Sequence, residues 1–249
     1  MDKGLDNNLN LEYKQKILEN HLYFLLKHRG LRESFEYGEV IHSDKANFNI
    51  VFLLSNEGVE KINKEYTVYL PDWVTLSEQM KLKYKKTGSL IYMVLADGEP
   101  EWEINKTINI MKVDTLSGIE DFSIVQGRGF CETEEEFNMG YPWMREKNIK
   151  NFDESNQNFY VAYENGNPVG VVLCIYYKNI AGIYAVATLP EYRKKGISTT
   201  LIQRAVNDAI INNITTITLQ TATGSYSHSL YKKLGFKDLF ECSILKTIR

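Results

Sequence analysis

The sequence is poor in the residues that build disulfide frameworks and metal sites. It holds only 3 cysteines among 249 residues, at Cys131, Cys174 and Cys242, and its 4 histidines are scattered. An odd number of widely separated cysteines gives no disulfide framework and no zinc-ligand spacing. We therefore expect reduced thiols and no metal cofactor.

The chain also lacks a long apolar run and an excess of basic residues. Its first ten residues, M-D-K-G-L-D-N-N-L-N, are polar, and no apolar stretch is long enough to span a bilayer. The formal net charge of -3 argues against a general nucleic-acid binder. A hydrophobic content of 43% with 24% charged residues is typical of a globular protein. We expect a cytoplasmic protein with no membrane or nucleic-acid partner.

Periodicity and turn residues predict two domains, 1–103 and 104–249. The turn-rich D-G-E-P at 97–100 marks the boundary. In the first part we predict a helix from Leu9 to about His28, a helix near Ser77–Lys86, a helical piece at 56–65, and strands around 35–43, 47–54 and 89–96. This part is predicted to be a smaller α/β domain.

Strands and helices alternate more clearly in the second part. We predict strands at Thr107–Val113, Ile180–Thr188, 215–221 and Phe240–Thr247, a hairpin turning at E-N-G-N, and helices at Leu116–Gly127, Tyr192–Asn212 and Ser225–Leu234. Glu132–Ile149 reads as a helical stretch interrupted by M-G-Y-P-W. The alternation predicts an α/β or α+β fold with a mixed sheet.

A basic glycine loop, R-K-K-G-I-S, lies where the strand ending near Thr188 turns into the next helix. The first turn of a helix has unpaired N–H groups and partial positive charge, and Gly196 lets a ligand approach the main chain. The loop is therefore either an anion site or a solvated strand–helix turn. No G-x-x-x-x-G-K-[ST] phosphate loop occurs in the chain.

A second motif, Y-K-K-L-G-F at Tyr231–Phe236, follows in a predicted short helix that ends at Gly235. With both motifs in this order, residues from about Thr107 to Arg249 resemble the GCN5-related N-acetyltransferase (GNAT) family. That family's acyl-CoA loop has the form [RQ]-x-x-G-x-[GA], and its short-helix ending has the form Y-x-K-x-G-F. The resemblance implies a mixed, mostly antiparallel sheet flanked by helices.

The resemblance also implies how acetyl-CoA, the expected co-substrate, would be bound. In the family the pyrophosphate lies on backbone amides of the loop and helix start, which here are Arg193, Lys194, Lys195, Gly196, Ile197 and Ser198. Pantetheine pairs with the preceding strand like an added strand, which implicates the main chains of Val186, Ala187 and Thr188.

The family's general acid for the departing thiolate corresponds to Tyr231, and Tyr226 is a neighbour that could substitute for it. A packing role for Tyr231 is the alternative. Two residues depart from the family pattern. Ser198 replaces a glycine or alanine, and its hydroxyl could reach a phosphate; Gly224 stands where an asparagine commonly contacts the pantetheine arm.

No general base is evident. The predicted central strand has no carboxylate, and Tyr184 is its only ionisable side chain. The acidic side chains before the next helix could face the cleft or form a solvated helix start: Glu132, Glu134, Glu135 and Glu136. Deprotonation by water is a further alternative.

Tyr141 and Trp143 are either a wall of the acceptor site or a surface aromatic pair.

The resemblance predicts an N-acetyltransferase in which an amine attacks acetyl-CoA directly in a ternary complex. The alternatives are a non-catalytic CoA-binding sensor or regulatory module, an interaction protein that binds no CoA, and a tandem enzyme that transfers a longer acyl or aminoacyl group from a different donor. The acceptor is expected to be a small-molecule or peptide amine, and the protein a monomer or homodimer. Residues 1 to about 100 resemble a degenerate copy of the same fold without the basic glycine loop.

Overall fold

The computed structural model describes residues 3–43, 49–56, 66–96, 102 and 105–248. Its contacts divide the chain into two compact units, one of Met1–Ala96 with Gln220–Arg249 and one of Asp97–Leu219. Most of the helical piece expected at 56–65, and the D-G-E-P turn, lie outside the described residues. The division into domains 1–103 and 104–249 and the degenerate-copy origin of the first part stay predictions.

The helices and strands follow one another in the chain as follows. They are α1 (Lys3–His28), β1 (Gly30–Phe35), β2 (Gly38–Ser43), β3 (Ile50–Leu53), β4 (Thr67–Pro71), α2 (Glu78–Lys81), β5 (Tyr84–Leu95), β6 (Asn109–Lys112), α3 (Leu116–Phe130), α4 (Glu134–Asn151), β7 (Gln157–Glu164), β8 (Asn167–Tyr177), β9 (Ile180–Thr188), α5 (Ile197–Ile211), β10 (Thr216–Ala222), α6 (Tyr226–Lys233) and β11 (Phe236–Thr247).

In the first unit the strands are ordered β1-β2-β3-β4-β11-β5. β11 pairs antiparallel with both β4 and β5, while β3 and β4 are parallel. The apolar stripe of α1, including Ile17, Leu18 and Leu22, is buried. The helix predicted at Ser77–Lys86 is wrong beyond α2, because Tyr84 and the residues after it pair with β11 instead.

In the second unit the strands are ordered β10-β9-β8-β7-β6. β9 and β10 are parallel and the other pairs are antiparallel. The hairpin between β7 and β8 turns at Asn165 and Gly166, which both have positive φ (52° and 81°) as an Asn-Gly turn requires. α3 and α5 pack on β8 and β9, whose side chains are largely buried. The predicted fold class, a mixed and mostly antiparallel sheet flanked by helices, is confirmed.

The predicted interruption at M-G-Y-P-W is wrong, because α4 continues through Pro142. A proline inside a helix removes one backbone hydrogen bond and costs about 3 kcal/mol. Tertiary contacts outweigh that cost here. Asn148 of α4 is buried and donates to Ser123 and Gln126 of α3, and the Thr133–Glu136 capping box fixes the start of α4.

Candidate functional site

The basic glycine loop connects the end of β9 to α5 within the second unit. A short 3-10 helix at Pro190–Tyr192 leads into it, so α5 begins later than the predicted Tyr192. Lys194 and Gly196 both adopt positive φ, at 64° and 76°. Gly196 is the N-cap residue, and no side chain among the described residues caps the helix. The first amide groups of α5 are therefore available to a ligand, and the helix dipole makes an anion the favoured one.

The three basic side chains of the loop have different surroundings. The Arg193 guanidinium donates to the carbonyl oxygens of Thr188 and Gly129, each at 3.2 Å, so it holds the loop against β9 and α3. The Lys195 ammonium lies 3.4 Å from a Glu164 carboxylate oxygen. Lys194 is exposed and has no hydrogen bond or ion pair with the described part of the chain. Lys194 is thus the loop cation free to meet a ligand.

Ser198 bonds to the strand that precedes the loop. Its hydroxyl oxygen lies 2.9 Å from that of Thr188, which is itself buried. In such a pair one hydroxyl donates to the other, and the accepting hydroxyl keeps its own hydrogen free. Ser198 therefore joins the two ends of the loop while one O–H remains available beside the helix start.

Asn105 lies outside the loop in the sequence but forms hydrogen bonds to it. Its side-chain amide donates to the Lys195 carbonyl at 2.9 Å, and its backbone N–H donates to the Thr200 hydroxyl at 2.9 Å. The Thr200 hydroxyl in turn donates to the Gly196 carbonyl at 3.0 Å. Asn105 precedes β6 and is remote from the loop in sequence, so no local pattern marks it as part of this site.

β9 carries a bulge immediately before the loop. Ala185 and Val186 together oppose the single residue Val172 of β8, and Ala185 has a φ of 50°. A non-glycine residue at positive φ stores strain, and bulges re-aim backbone groups at the edges of sites. The sequence contains no signal for this bulge, because alanine has no preference for that conformation.

Among the described residues, the pairing of β9 with β10 ends before the loop. The parallel register with β10 runs from Ile180 opposite Thr216 to Ile183 opposite Leu219. The later residues of β9, including Val186, Ala187 and Thr188, lie beyond the last paired position. An extended ligand pairs with main-chain groups of this kind, although the Thr188 carbonyl already accepts from Arg193.

Two glycines bring the helices close to β8 and β9. A Cβ atom at Gly170 would lie 2.6 Å from Ile197 Cγ2, and one at Gly129 would lie 2.7 Å from Ala187 Cβ. Both distances are too short for real Cβ contacts, so only glycine permits these approaches. Gly170 allows the first turn of α5 to lie close to β8. Gly129 allows α3 to lie close to β9.

Tyr231 lies on α6, in the first unit. Only 7% of it is exposed, and its ring packs edge-on against Phe236 at 6.2 Å between centroids. Burial raises the pKa of Tyr231 to about 12, so the phenol is protonated at neutral pH. Tyr226 is 73% exposed at the start of the same helix.

Gly224, at the position where the family commonly has an asparagine, lies in the turn before α6. Its φ is 75°, which favours glycine, and its N–H donates to His228 Nδ1 at 3.1 Å. Because Nδ1 accepts, the His228 Nε2–H donates to Asp238, 2.8 Å away. The turn is therefore held by main-chain and imidazole contacts.

Three of the candidate bases, Tyr184, Glu134 and Glu136, are buried or already bonded within the protein. Tyr184 of β9 is buried, and burial raises its pKa well above the ordinary value for tyrosine. Glu134 pairs with Arg128, and Glu136 completes the capping box of α4, so both serve the helix start.

Trp143 is buried, and Tyr141 stacks on Phe137 at 4.9 Å between ring centroids.

Of the predicted site residues, Val186, Ala187, Thr188 and residues 193–198 lie together in the second unit, and Tyr231 lies in the first. Within the described residues, no group of His, Cys, Asp or Glu side chains could hold a metal ion. None of the described helices has the length and apolar character needed to cross a membrane.

Comparison with known proteins assigns one segment of the chain to a family model. Residues 128–236 match the model of the acetyltransferase (GNAT) family, and this segment, which holds the loop and Tyr231, is a GNAT domain. An uncharacterized N-acetyltransferase of Chlorobaculum tepidum is 26% identical over 100 residues, which cover 39% of this chain and 60% of that relative. The match thus spans less than two thirds of the curated relative's length.

Solved structures of GNAT proteins have a similar fold. A GCN5-related N-acetyltransferase from Kribbella flavida has a TM-score of 0.68 at 12% identity, covering 94% of this chain and 95% of that one. A tandem GNAT protein from the clavulanic acid biosynthesis pathway has a TM-score of 0.55 at 12% identity, covering 85% of this chain and 78% of that one. At these identities the likeness concerns the fold alone.

Proposed function

We propose that this protein is an N-acetyltransferase that transfers the acetyl group of acetyl-CoA to an amine by direct attack in a ternary complex. The observation that carries the proposal is the uncapped start of α5, which follows a loop whose glycine N-cap has a φ of 76°. A diphosphate, with its negative charges on closely spaced oxygens, suits such a cluster of free N–H groups.

The loop would bind the pyrophosphate mainly through its backbone. The amides involved are those of Arg193, Lys194, Lys195, Gly196, Ile197 and Ser198. Lys194 adds a charge that no ion pair with the described residues competes for, and the free O–H of the Thr188–Ser198 pair adds a donor. Arg193 acts on the loop rather than on the ligand, because its guanidinium already donates to two carbonyl oxygens.

The pantetheine arm would extend along the unpaired edge of β9, through the main chains of Val186, Ala187 and Thr188. The bulge at Ala185 and Val186 turns backbone groups out of the β8 ladder. An N–H group freed in this way can donate to the thioester carbonyl as negative charge develops on its oxygen. The strain at Ala185 is consistent with such a preorganised donor.

Tyr231 would act as the general acid. The amine nitrogen attacks the thioester carbon, the C–S bond breaks with its electron pair moving to sulfur, and the Tyr231 hydroxyl protonates the thiolate and then regains a proton from water. The extra proton of the amine passes to water, since β9 carries no carboxylate. A pKa of about 12 keeps the tyrosine protonated at neutral pH. The acceptor is a small-molecule or peptide amine.

The same pKa favours a second candidate function, a non-catalytic CoA-binding sensor. A phenol with a pKa of about 12 is a weaker acid than unperturbed tyrosine, and so a weaker proton donor to a thiolate. The absence of a carboxylate on β9 points in the same direction. The sensor would bind acetyl-CoA at the same loop and release no thiol.

A thiol-release screen separates the two functions. Acetyl-CoA is incubated with the protein and with panels of small amines, amino acids, polyamines and peptide N-termini, and free CoA is measured. Gly196→Glu is the control, because a carboxylate there repels the diphosphate. Amine-dependent release by the wild type alone supports the enzyme. CoA binding without release for any amine supports the sensor, and no CoA binding contradicts both.

A further inference from the structure

We propose that Asn105 is a positioning residue for the diphosphate-binding loop, an inference that rests on the proposed function. The residue stands outside every motif of the family resemblance. It nevertheless makes two hydrogen bonds to the loop and the first turn of α5, across sequence separations of 90 and 95 residues.

The first bond fixes the peptide group between Lys195 and Gly196. The Asn105 side-chain nitrogen donates to the Lys195 carbonyl at 2.9 Å. In a trans peptide the C=O and N–H groups point in opposite directions. When the carbonyl points at Asn105, the Gly196 N–H must therefore point away from it, toward the open side of the loop.

The second bond extends the same constraint to the next peptide group. The Asn105 backbone N–H donates to the Thr200 hydroxyl, and that hydroxyl donates to the Gly196 carbonyl at 3.0 Å. The Gly196 carbonyl shares its peptide group with the Ile197 N–H. The Gly196 carbonyl also accepts from the Thr200 backbone N–H at 3.0 Å, so α5 itself holds this second peptide group and Asn105 supports it through the Thr200 hydroxyl.

Thr107 sets the orientation of the Asn105 amide. The Asn105 Oδ1 atom accepts from the Thr107 N–H at 3.0 Å and from its hydroxyl at 2.6 Å. Both partners are donors, so the oxygen faces Thr107 and the NH₂ group faces Lys195. The donor role of Asn105 toward the loop follows from this arrangement.

The decisive variant is Asn105→Asp, which has the same shape and still accepts from Thr107 but has no hydrogen to donate to Lys195. CoA affinity is measured by calorimetry, and the phosphorus NMR shifts of bound CoA are recorded. We expect CoA affinity to fall about tenfold or more, because the lost hydrogen bond orients the backbone N–H groups that bind the charged diphosphate. The diphosphate signals should move toward their free positions, while the 3′-phosphate signal keeps its bound shift.

Asn109→Asp is the matched control, because Asn109 is exposed on β6 and the substitution adds the same charge. It should bind CoA like the wild type. If Asn105→Asp does not fold, Thr200→Val removes the hydroxyl that joins Asn105 to Gly196 and should weaken binding in the same way.

The outcomes separate the positioning role from the proposed function. Suppose that the wild type binds CoA and that folded Asn105→Asp has the same affinity and the same diphosphate shifts. This result overturns the role of Asn105 and leaves the proposed function standing. Equal losses in Asn105→Asp and Asn109→Asp also overturn that role, since charge alone then explains them. A wild type that binds no CoA overturns the proposed function and the role of Asn105 with it.

Discussion

The hydroxyl oxygens of Thr188 and Ser198 lie 2.9 Å apart and join the last residue of β9 to the first turn of α5. This bond accounts for a serine where the family pattern has glycine or alanine. The Ser198 side chain is small enough for the helix start. Its hydroxyl bonds to Thr188 and so joins the two ends of the loop.

Removing either hydroxyl should destabilise the protein, and removing both should cost little more. Ser198→Ala and Thr188→Val should each lower the free energy of unfolding by about 1 kcal/mol, the usual value of one hydrogen bond. Urea denaturation of the two single variants and the double variant forms a thermodynamic cycle. Strictly additive losses would show that the two hydroxyls do not interact.

Gly196 should tolerate asparagine better than alanine. Its φ of 76° is unfavourable for most side chains, whereas the nearest atom to an added Cβ is 3.7 Å away, so conformation rather than space limits the position. We expect Gly196→Ala to lose about 1 kcal/mol of stability and Gly196→Asn less. Thermal unfolding of both variants measures the difference. Equal losses would assign the effect to something other than backbone conformation.

Gly129→Ala should disturb the contact between α3 and β9. The new methyl group would approach Ala187 Cβ to 2.7 Å, and such overpacking costs about 1–3 kcal/mol. Ala187→Gly in the same chain removes the clashing atom and should recover most of the loss. Stability and CoA affinity are compared among the single and double variants. A double variant no more stable than Gly129→Ala would contradict the contact.

Tyr231→Phe should lower turnover by about 10²-fold or more and leave CoA affinity unchanged, because only the proton donor is lost. The pKa of about 12 also predicts that Tyr231 stays protonated up to strongly alkaline pH. The pH–rate profile should thus show no fall caused by this residue below about pH 10. Unchanged turnover in Tyr231→Phe would remove it from the mechanism, and Tyr226→Phe would then test the alternative donor.

His21 should make the protein sensitive to acid. Burial lowers its pKa from 6.5 to about 3, and its Nδ1 lies 2.6 Å from the Tyr92 hydroxyl. Between these two pH values only the unfolded chain binds the proton, so stability falls as pH falls, by about 1.4 kcal/mol per pH unit. Unfolding of His21→Gln between pH 7 and pH 4 should show a shallower loss. Parallel curves for wild type and variant would contradict this.

Local sequence signals predicted the parts of the fold and of the site that depend on the conformational preferences of single residues. The Asn165–Gly166 turn, the helix after Gly196 and the end of α6 before Gly235 each follow from residues with strong conformational preferences. Pro142 misled the prediction for α4, because contacts with α3 override a local helix breaker. Tyr84 begins a strand where a helix was expected, since its partner in β11 lies more than 150 residues away.

Two features of the site had no sequence signal at all. The bulge at Ala185 arises from the register between β8 and β9, which neither strand encodes by itself. Asn105 contacts the loop only because the chain folds back 90 residues later. An asparagine before a strand is an ordinary turn residue when read locally.

The measurement that tests the central claim most directly is a calorimetric titration of the wild type and Gly196→Glu with CoA. The claim is that backbone amides at the start of α5 bind the diphosphate. It predicts saturable binding by the wild type and a loss of about 100-fold or more in Gly196→Glu, both proteins being folded by circular dichroism. Binding of equal affinity in the two proteins, or none in the wild type, would contradict it.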